Sequence, residues 1–176
     1  MKKNEIEKVW MYVSTRSNDM VIDDISSLKD QINVMLEEKE IREVRFDMDK
    51  PVIIYADEFY IEQAFTNYFT NAIKHTKDVN GEKYIEIKIK ENKNKNNVRV
   101  SVFNTGEILS DEDLERIWGR FYKVDESRNR ADGGSGIGLA LVKAIMNNYN
   151  SKYGAVNREN GIEFYFDIQT DAVIEK

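Results

Sequence analysis

The stretch from Asp57 to Lys77 carries two opposed faces, and it constrains the fold more than any other part of the chain. At about 100° per residue, Ile61, Phe65, Tyr68, Phe69, Ala72 and Ile73 gather on one side of a helix, which must pack on a sheet. Asp57 is the expected N-cap, its carboxylate placed to accept from an orphan N–H of the first turn. Asn67, Asn71 and Lys74 fall together on the opposite side. A solvated polar face is the ordinary reading of such a stripe. Asparagine, however, is a mediocre helix former because its amide competes for backbone hydrogen bonds, so two of them a turn apart invite a use. An amide oxygen is a ligand for a hard cation such as Mg²⁺, and a lysine one turn on can reach a phosphate.

Around this helix the pattern divides into strands and helices that segregate. Ile25, Leu28, Ile32, Met35 and Leu36 recur at helical spacing between Asp23 and Glu40, an amphipathic helix. Val44 to Met48 and Val52 to Tyr55 read as two short strands joined at a turn around Pro51. Tyr84 to Lys90 and Val98 to Phe103 alternate well and flank the polar run Glu91 to Asn97, as a β-hairpin does. Asp111 to Trp118 and Leu139 to Tyr149 read as helices, and Ile162 to Ile168 as a closing strand. The expected fold is α+β, a two-layer sandwich with helices on one face of a mixed β-sheet.

Composition narrows the class. With 176 residues, 41% of them hydrophobic, the chain can bury one core. A net charge of −6 argues against generic affinity for nucleic acid or an anionic membrane, both of which favour a basic face. The chain has no cysteine, which removes disulfides and thiolate metal sites and fits a cytosolic protein. No apolar run approaches the roughly 18 residues that span a bilayer, and the first residues lack the apolar core of a signal peptide. A soluble chain with no membrane contact of its own is expected.

The run Gly133-Gly134-Ser135-Gly136-Ile137-Gly138-Leu139 feeds directly into an apolar helix. Glycines let backbone approach an anion closely, and a helix N-terminus offers unpaired N–H groups and the positive end of a dipole. A helix-leading loop in any globular protein would look similar. The charged segment Lys123 to Asp132 precedes the run, where a dinucleotide-binding fingerprint would have a buried strand. Lys143 lies well inside the helix, so the Gly-Lys-Ser/Thr of a Walker A loop is absent too.

Four motifs, in order, resemble those of sensor histidine kinases. Asn67-Tyr68-Phe69-Thr70-Asn71-Ala72-Ile73-Lys74-His75-Thr76 is similar to their N box, and Val102-Phe103-Asn104-Thr105-Gly106 to their first glycine box. Trp118-Gly119-Arg120-Phe121-Tyr122-Lys123 resembles the F box, and Gly134-Ser135-Gly136-Ile137-Gly138-Leu139 the second glycine box. The resemblance covers roughly Tyr55 to Val142 and implies the Bergerat ATP-binding fold shared with gyrase, MutL and Hsp90 ATPase domains. It implies Mg-ATP as the cofactor, with Asn71 the Mg²⁺ ligand and Lys74 at a phosphate. Lys123 and Arg128 would close over the β- and γ-phosphates, and Tyr122 and His75 would flank the nucleotide pocket. Asn67 stands where gyrase-like relatives keep a water-activating glutamate; an amide cannot act as a base, which fits phosphoryl transfer to a protein better than hydrolysis. Asn67, Lys74, Lys123 and Arg128 are therefore the implied catalytic set. Asn104, Gly106, Gly134, Ser135, Gly136, Ile137, Gly138 and Leu139 complete the implied nucleotide-binding set.

The same resemblance implies partners. His75 is the only histidine and lies in the N box, so it is not the phosphoacceptor. The family's acceptor sits in a separate dimerisation hairpin, and the phosphoryl group then passes to a response regulator. Residues 1–15 are expected to be a remnant of that hairpin or its linker, and 16–176 the catalytic domain. Such a domain would be cytoplasmic, within a full-length kinase anchored in a membrane and dimeric through its hairpin. The first glycine box departs from the family pattern, with Asn104 in place of Asp and Ile108 in place of a second glycine. A neutral hydrogen bond from the base is weaker than a charge-assisted one by roughly 1 kcal/mol, so weaker ATP binding is expected. The form Asn-Thr-Gly-Glu is similar to a sub-branch that includes vancomycin-resistance-type sensors. A weakened nucleotide-binding or docking module of the same fold, and an ATPase of the gyrase or MutL type, stay open as alternatives.

Overall fold

The computed structural model describes residues 34–41, 43–48, 54, 56–92, 96–122 and 136–170. Strand β1 (Glu43–Met48) leads through helix α1 (Glu58–His75) into β2 (Tyr84–Asn92), and β3 (Asn97–Thr105) follows. Helices α2 (Asp111–Arg116) and α3 (Gly138–Asn148) precede the closing strands β4 (Tyr153–Arg158) and β5 (Gly161–Gln169). One sheet holds all five strands in the order β1-β2-β3-β5-β4. β1 and β2 pair in parallel, which demands a crossover, and α1 supplies it; the other three pairings are antiparallel. The mixed sheet and α+β class agree with the sequence expectation.

The apolar side of α1 does what its spacing requires. Phe65, Tyr68, Phe69, Ala72 and Ile73 are all buried, in one core with Ile85, Ile87, Val102 and Phe166 of the sheet. The Tyr68 ring packs 5.4 Å from Phe164 and 5.8 Å from Phe166, and its hydroxyl donates to the Tyr165 carbonyl. Burial pushes the Tyr68 phenol up, so it stays neutral at any physiological pH. Val142, Ile145 and Met146 of α3 join the same core. In register, Ile87, Val102, Phe164 and Ala155 lie side by side on this face across four strands. The opposite face is covered by long polar side chains. Arg99 lies over the Tyr165 ring and holds Asp167 through two hydrogen bonds, and Arg45 lies over Tyr84.

Several boundaries shift from those expected. Asp57 caps α1 as anticipated, accepting from the Phe59 N–H at 3.0 Å, but the helix ends at His75 and not at Lys77. Thr76 turns extended while its N–H still reaches the Ala72 carbonyl, and the Lys77 N–H goes instead to Thr105 of β3. α2 stops at Arg116, two residues short of Trp118. Of the expected strand Val52 to Tyr55, only Ile54 is described, and it carries no strand pairing. Residues 34–38 are helical, with Leu36 fully in the core; the earlier part of the helix expected from Asp23 lies outside the described residues. β4 was not anticipated. Its sequence Tyr-Gly-Ala-Val-Asn-Arg lacks a clean alternation because it is an edge strand, pairing on one side only.

Candidate functional site

The polar stripe of α1 is half-buried. Asn67 donates from Nδ2 to the Gln63 carbonyl at 2.8 Å, which directs Oδ1 toward α3. A Cβ on Gly138 would stand 2.5 Å from that oxygen, so any larger residue at the first position of α3 would displace the Asn67 amide. Ile137 is the N-cap of α3, without a side-chain cap bond and with no acidic residue in the first turn. The first hydrogen bond within the helix is Leu141 N–H to Ile137 carbonyl, so among the described residues the amides of Gly138, Leu139 and Ala140 open the helix as orphan donors. An unneutralised helix N-terminus of this kind stabilises an anion. Asn67 thus lies against the first residue of α3, and Asn71 and Lys74 continue the same side of α1.

The end of β3 forms the second part of the site. Asn104 shares the helix-facing side of the sheet with Val100 and Val102, and it is buried. Its Nδ2 donates to the Thr105 carbonyl at 3.1 Å. Gly106 has φ +153, and a Cβ there would stand 2.8 Å from the His75 carbonyl. Gly106 is therefore required both by its backbone and by the close approach of the α1 terminus. His75 meets the site through that carbonyl, while its side chain is exposed.

The third part joins the F-box residues to the glycine run. The Phe121 N–H donates to the Gly136 carbonyl at 2.9 Å, and both residues have positive φ. A Cβ on Gly136 would meet the Phe121 Cα at 3.0 Å, so this too is a position for glycine. Ile137 is exposed and Leu139 half-buried against the core. Lys123, Arg128, Gly134 and Ser135 lie outside the described residues.

This arrangement can be compared with known proteins. Residues 56–172 match the family model described as histidine kinase-, DNA gyrase B- and HSP90-like ATPase. The chain belongs to this family. Among its relatives, the phosphate regulon sensor protein PhoR of Haemophilus influenzae is 33% identical over 134 residues, spanning 76% of this chain and 30% of that protein. Sensor protein VanSB of Enterococcus faecalis is 30% identical over 126 residues, 70% of this chain and 27% of that protein. The solved catalytic domain of histidine kinase ThkA superposes with a TM-score of 0.64 at 27% identity, covering 82% of this chain and 91% of that one. The chain spans less than a third of the length of these two curated relatives. It is the ATP-binding module of the histidine kinase type.

Further side-chain contacts link these elements. Thr105 is fully buried: its hydroxyl donates to the Lys77 carbonyl at 2.8 Å and accepts from the Tyr84 N–H at 3.2 Å. One side chain thereby ties the end of α1 to two strands. Tyr122 is half-buried, and its hydroxyl donates to Asp113 Oδ1 at 2.5 Å. Ser110 donates to Asp113 Oδ2 at 2.6 Å and caps α2 by accepting from the Asp113 N–H. The Ser-x-x-Asp spacing is a capping-box pattern that was legible in the sequence. Hydrogen bonds from Ser110 and then Tyr122 hold the Asp113 carboxyl below its ordinary range, and the bond to Asp113 pushes the Tyr122 phenol up. Asn157 clasps the backbone of Leu109 from both sides, with Ile108 exposed beside it. Lys77 pairs with Glu107 at 2.6 Å, whereas Lys74 enters none of the ion pairs among the described residues.

Proposed function

We propose that this domain binds Mg-ATP between α1 and the N-terminus of α3 and passes the γ-phosphoryl group to a histidine on a separate dimerisation hairpin of the same kinase. The response regulator that takes the group onward completes a two-component pathway. The observation that carries the reading is the packing of Gly138 on Asn67, which brings the first amide of the stripe against the start of α3, whose N-cap makes no side-chain hydrogen bond. The orphan amides hold phosphate oxygens, Lys74 adds a local cation against the net charge of −6, and Asn104 accepts from the base. The metal position is assigned to Asn71. The amide of Asn71 and the phosphates suit Mg²⁺, which keeps few protein ligands and supplies charge neutralisation when bound. Lys123 and Arg128 are assigned to the β- and γ-phosphates, Tyr122 and His75 to the rim of the pocket. Residues 16–176 are assigned to the catalytic domain and 1–15 to the preceding linker. Among the described residues no helix is long and apolar enough to cross a membrane, and we place the domain on the cytoplasmic side of a membrane-anchored kinase.

The test is phosphorylation in trans. The chain, labelled ATP and Mg²⁺ are incubated with the acceptor hairpin of the same kinase, and acid-labile phosphohistidine is expected on the hairpin. Asn104 and Ile108 favour a second reading, a nucleotide-binding docking module. ATP bound without phosphohistidine formed would support that reading instead.

A further inference from the structure

In a capping box the N–H of the N-cap residue is met from within its own helix, by a Glu or Gln at the third helical position. α1 carries Tyr60 at that position. The Asp57 N–H donates instead to the Tyr149 hydroxyl at 2.9 Å, from a residue 92 positions away in sequence. Tyr149 is the C-cap of α3, and its half-buried ring packs against the core. α3 therefore meets α1 at both of its ends, Gly138 against Asn67 and Tyr149 against Asp57. The helix rise from Gly138 to Tyr149 is about 16 Å and from Asp57 to Asn67 about 15 Å, so the two contacts are in register along antiparallel helices. Between them Val142, Ile145 and Met146 hold α3 on the core by apolar contact. Such contact is non-directional and permits sliding and rolling, whereas a hydrogen bond selects one position.

We propose that Tyr149 is a positioning residue for phosphate binding: its hydroxyl pins the C-terminal end of α3 to the N-cap of α1 and so sets where the N-terminal amides of α3 stand beside Asn67. The inference rests on the nucleotide site proposed above and deepens it. At one helix length from those amides, about 16 Å, Tyr149 is out of reach of a phosphate bound there and acts through α3 as a rigid rod. Gly138, without a side chain, has nothing to interlock with α1 at the other end. A misplacement of about 1 Å at the donors is enough to weaken what they hold.

Tyr149→Phe keeps the ring in the core and deletes the pin. In the ligand-free chain the amide resonances of Gly138, Leu139 and Ala140 are expected to move, although they lie a helix length from the substitution. With Mg²⁺, the variant should bind a non-hydrolysable ATP analogue about fivefold more weakly than the parent, and adenosine, which has no phosphate, within about twofold of it. A role confined to satisfying the cap has a different signature. Tyr60→Glu added to Tyr149→Phe supplies a capping-box acceptor for the Asp57 N–H without joining α3 to it. This double variant is expected to regain the unfolding midpoint of the parent and not its affinity. Recovery of affinity through Tyr60→Glu, unmoved α3 amides, or an equal loss for adenosine and the ATP analogue overturns the proposal. Failure of the parent to bind the analogue overturns the nucleotide site and this role with it; binding by the parent that Tyr149→Phe leaves unchanged overturns the role alone.

Discussion

A Cβ on Gly138 would stand 2.5 Å from Asn67 Oδ1, so the Asn67 amide keeps its place against α3 because that first residue has no side chain. Gly138→Ala should push the two helices apart or rotate Asn67 away from the Gln63 carbonyl. Overpacking of this kind costs about 1–3 kcal/mol. Urea unfolding is expected to show that loss, and the variant, still folded, should bind nucleotide more weakly than the parent. An unchanged affinity would separate the helix contact from the phosphate site.

Asn71→Ala removes the amide assigned to the metal without touching the apolar side of α1. Thermal unfolding should move little, because a half-exposed polar side chain away from the core contributes within about 0.5 kcal/mol. Calorimetric titration should lose the Mg²⁺-dependent part of nucleotide binding, and binding with and without Mg²⁺ should then coincide.

Thr105→Val keeps the shape of a buried side chain while deleting the hydroxyl and its hydrogen bonds. The Lys77 carbonyl and Tyr84 N–H would lose a buried partner, a cost of about 1–3 kcal/mol. Denaturant midpoints should fall accordingly, and Thr105→Ser, which retains the hydroxyl, should recover most of the difference.

The Tyr122–Asp113 contact has a pH signature. The Asp113 carboxyl is held low by Ser110 first and Tyr122 second, so the stabilisation it brings is present above its unfolded value and lost as pH falls through the folded one. Tyr122 has the opposite sign: its raised phenol keeps the contact below its unfolded value, and the contact is lost as pH rises through the folded one. NMR titration of the Asp113 carboxyl should show its midpoint rise in Tyr122→Phe and rise further in Ser110→Ala. No shift in Tyr122→Phe would place the hydroxyl elsewhere.

Much of this was legible in the chain because single residues carry strong local signals. The wheel of α1 fixed which side meets the sheet, and alternation from Tyr84 and from Val98 gave the antiparallel pair β2 and β3. The glycines at 136 and 138 marked the start of α3, which begins at Gly138. What local pattern could not carry was pairing between distant strands: the parallel contact of β1 with β2 and the edge strand β4 depend on neighbours, not on their own periodicity. The same holds for the site. Asn67, Asn71 and Lys74 announce themselves by spacing, whereas Thr105 and Asp113 matter through partners 28 and 9 residues away.

The central claim is that nucleotide seats between the α1 stripe and the N-terminus of α3. Amide-resolved NMR of the chain titrated with a non-hydrolysable ATP analogue and Mg²⁺ tests it most directly. Saturable shifts concentrated at Asn67, Asn71, Gly106, Gly138 and Leu139 are the expected result. No binding at millimolar nucleotide, or shifts confined to the opposite face of the sheet around Arg99 and Tyr165, would contradict it.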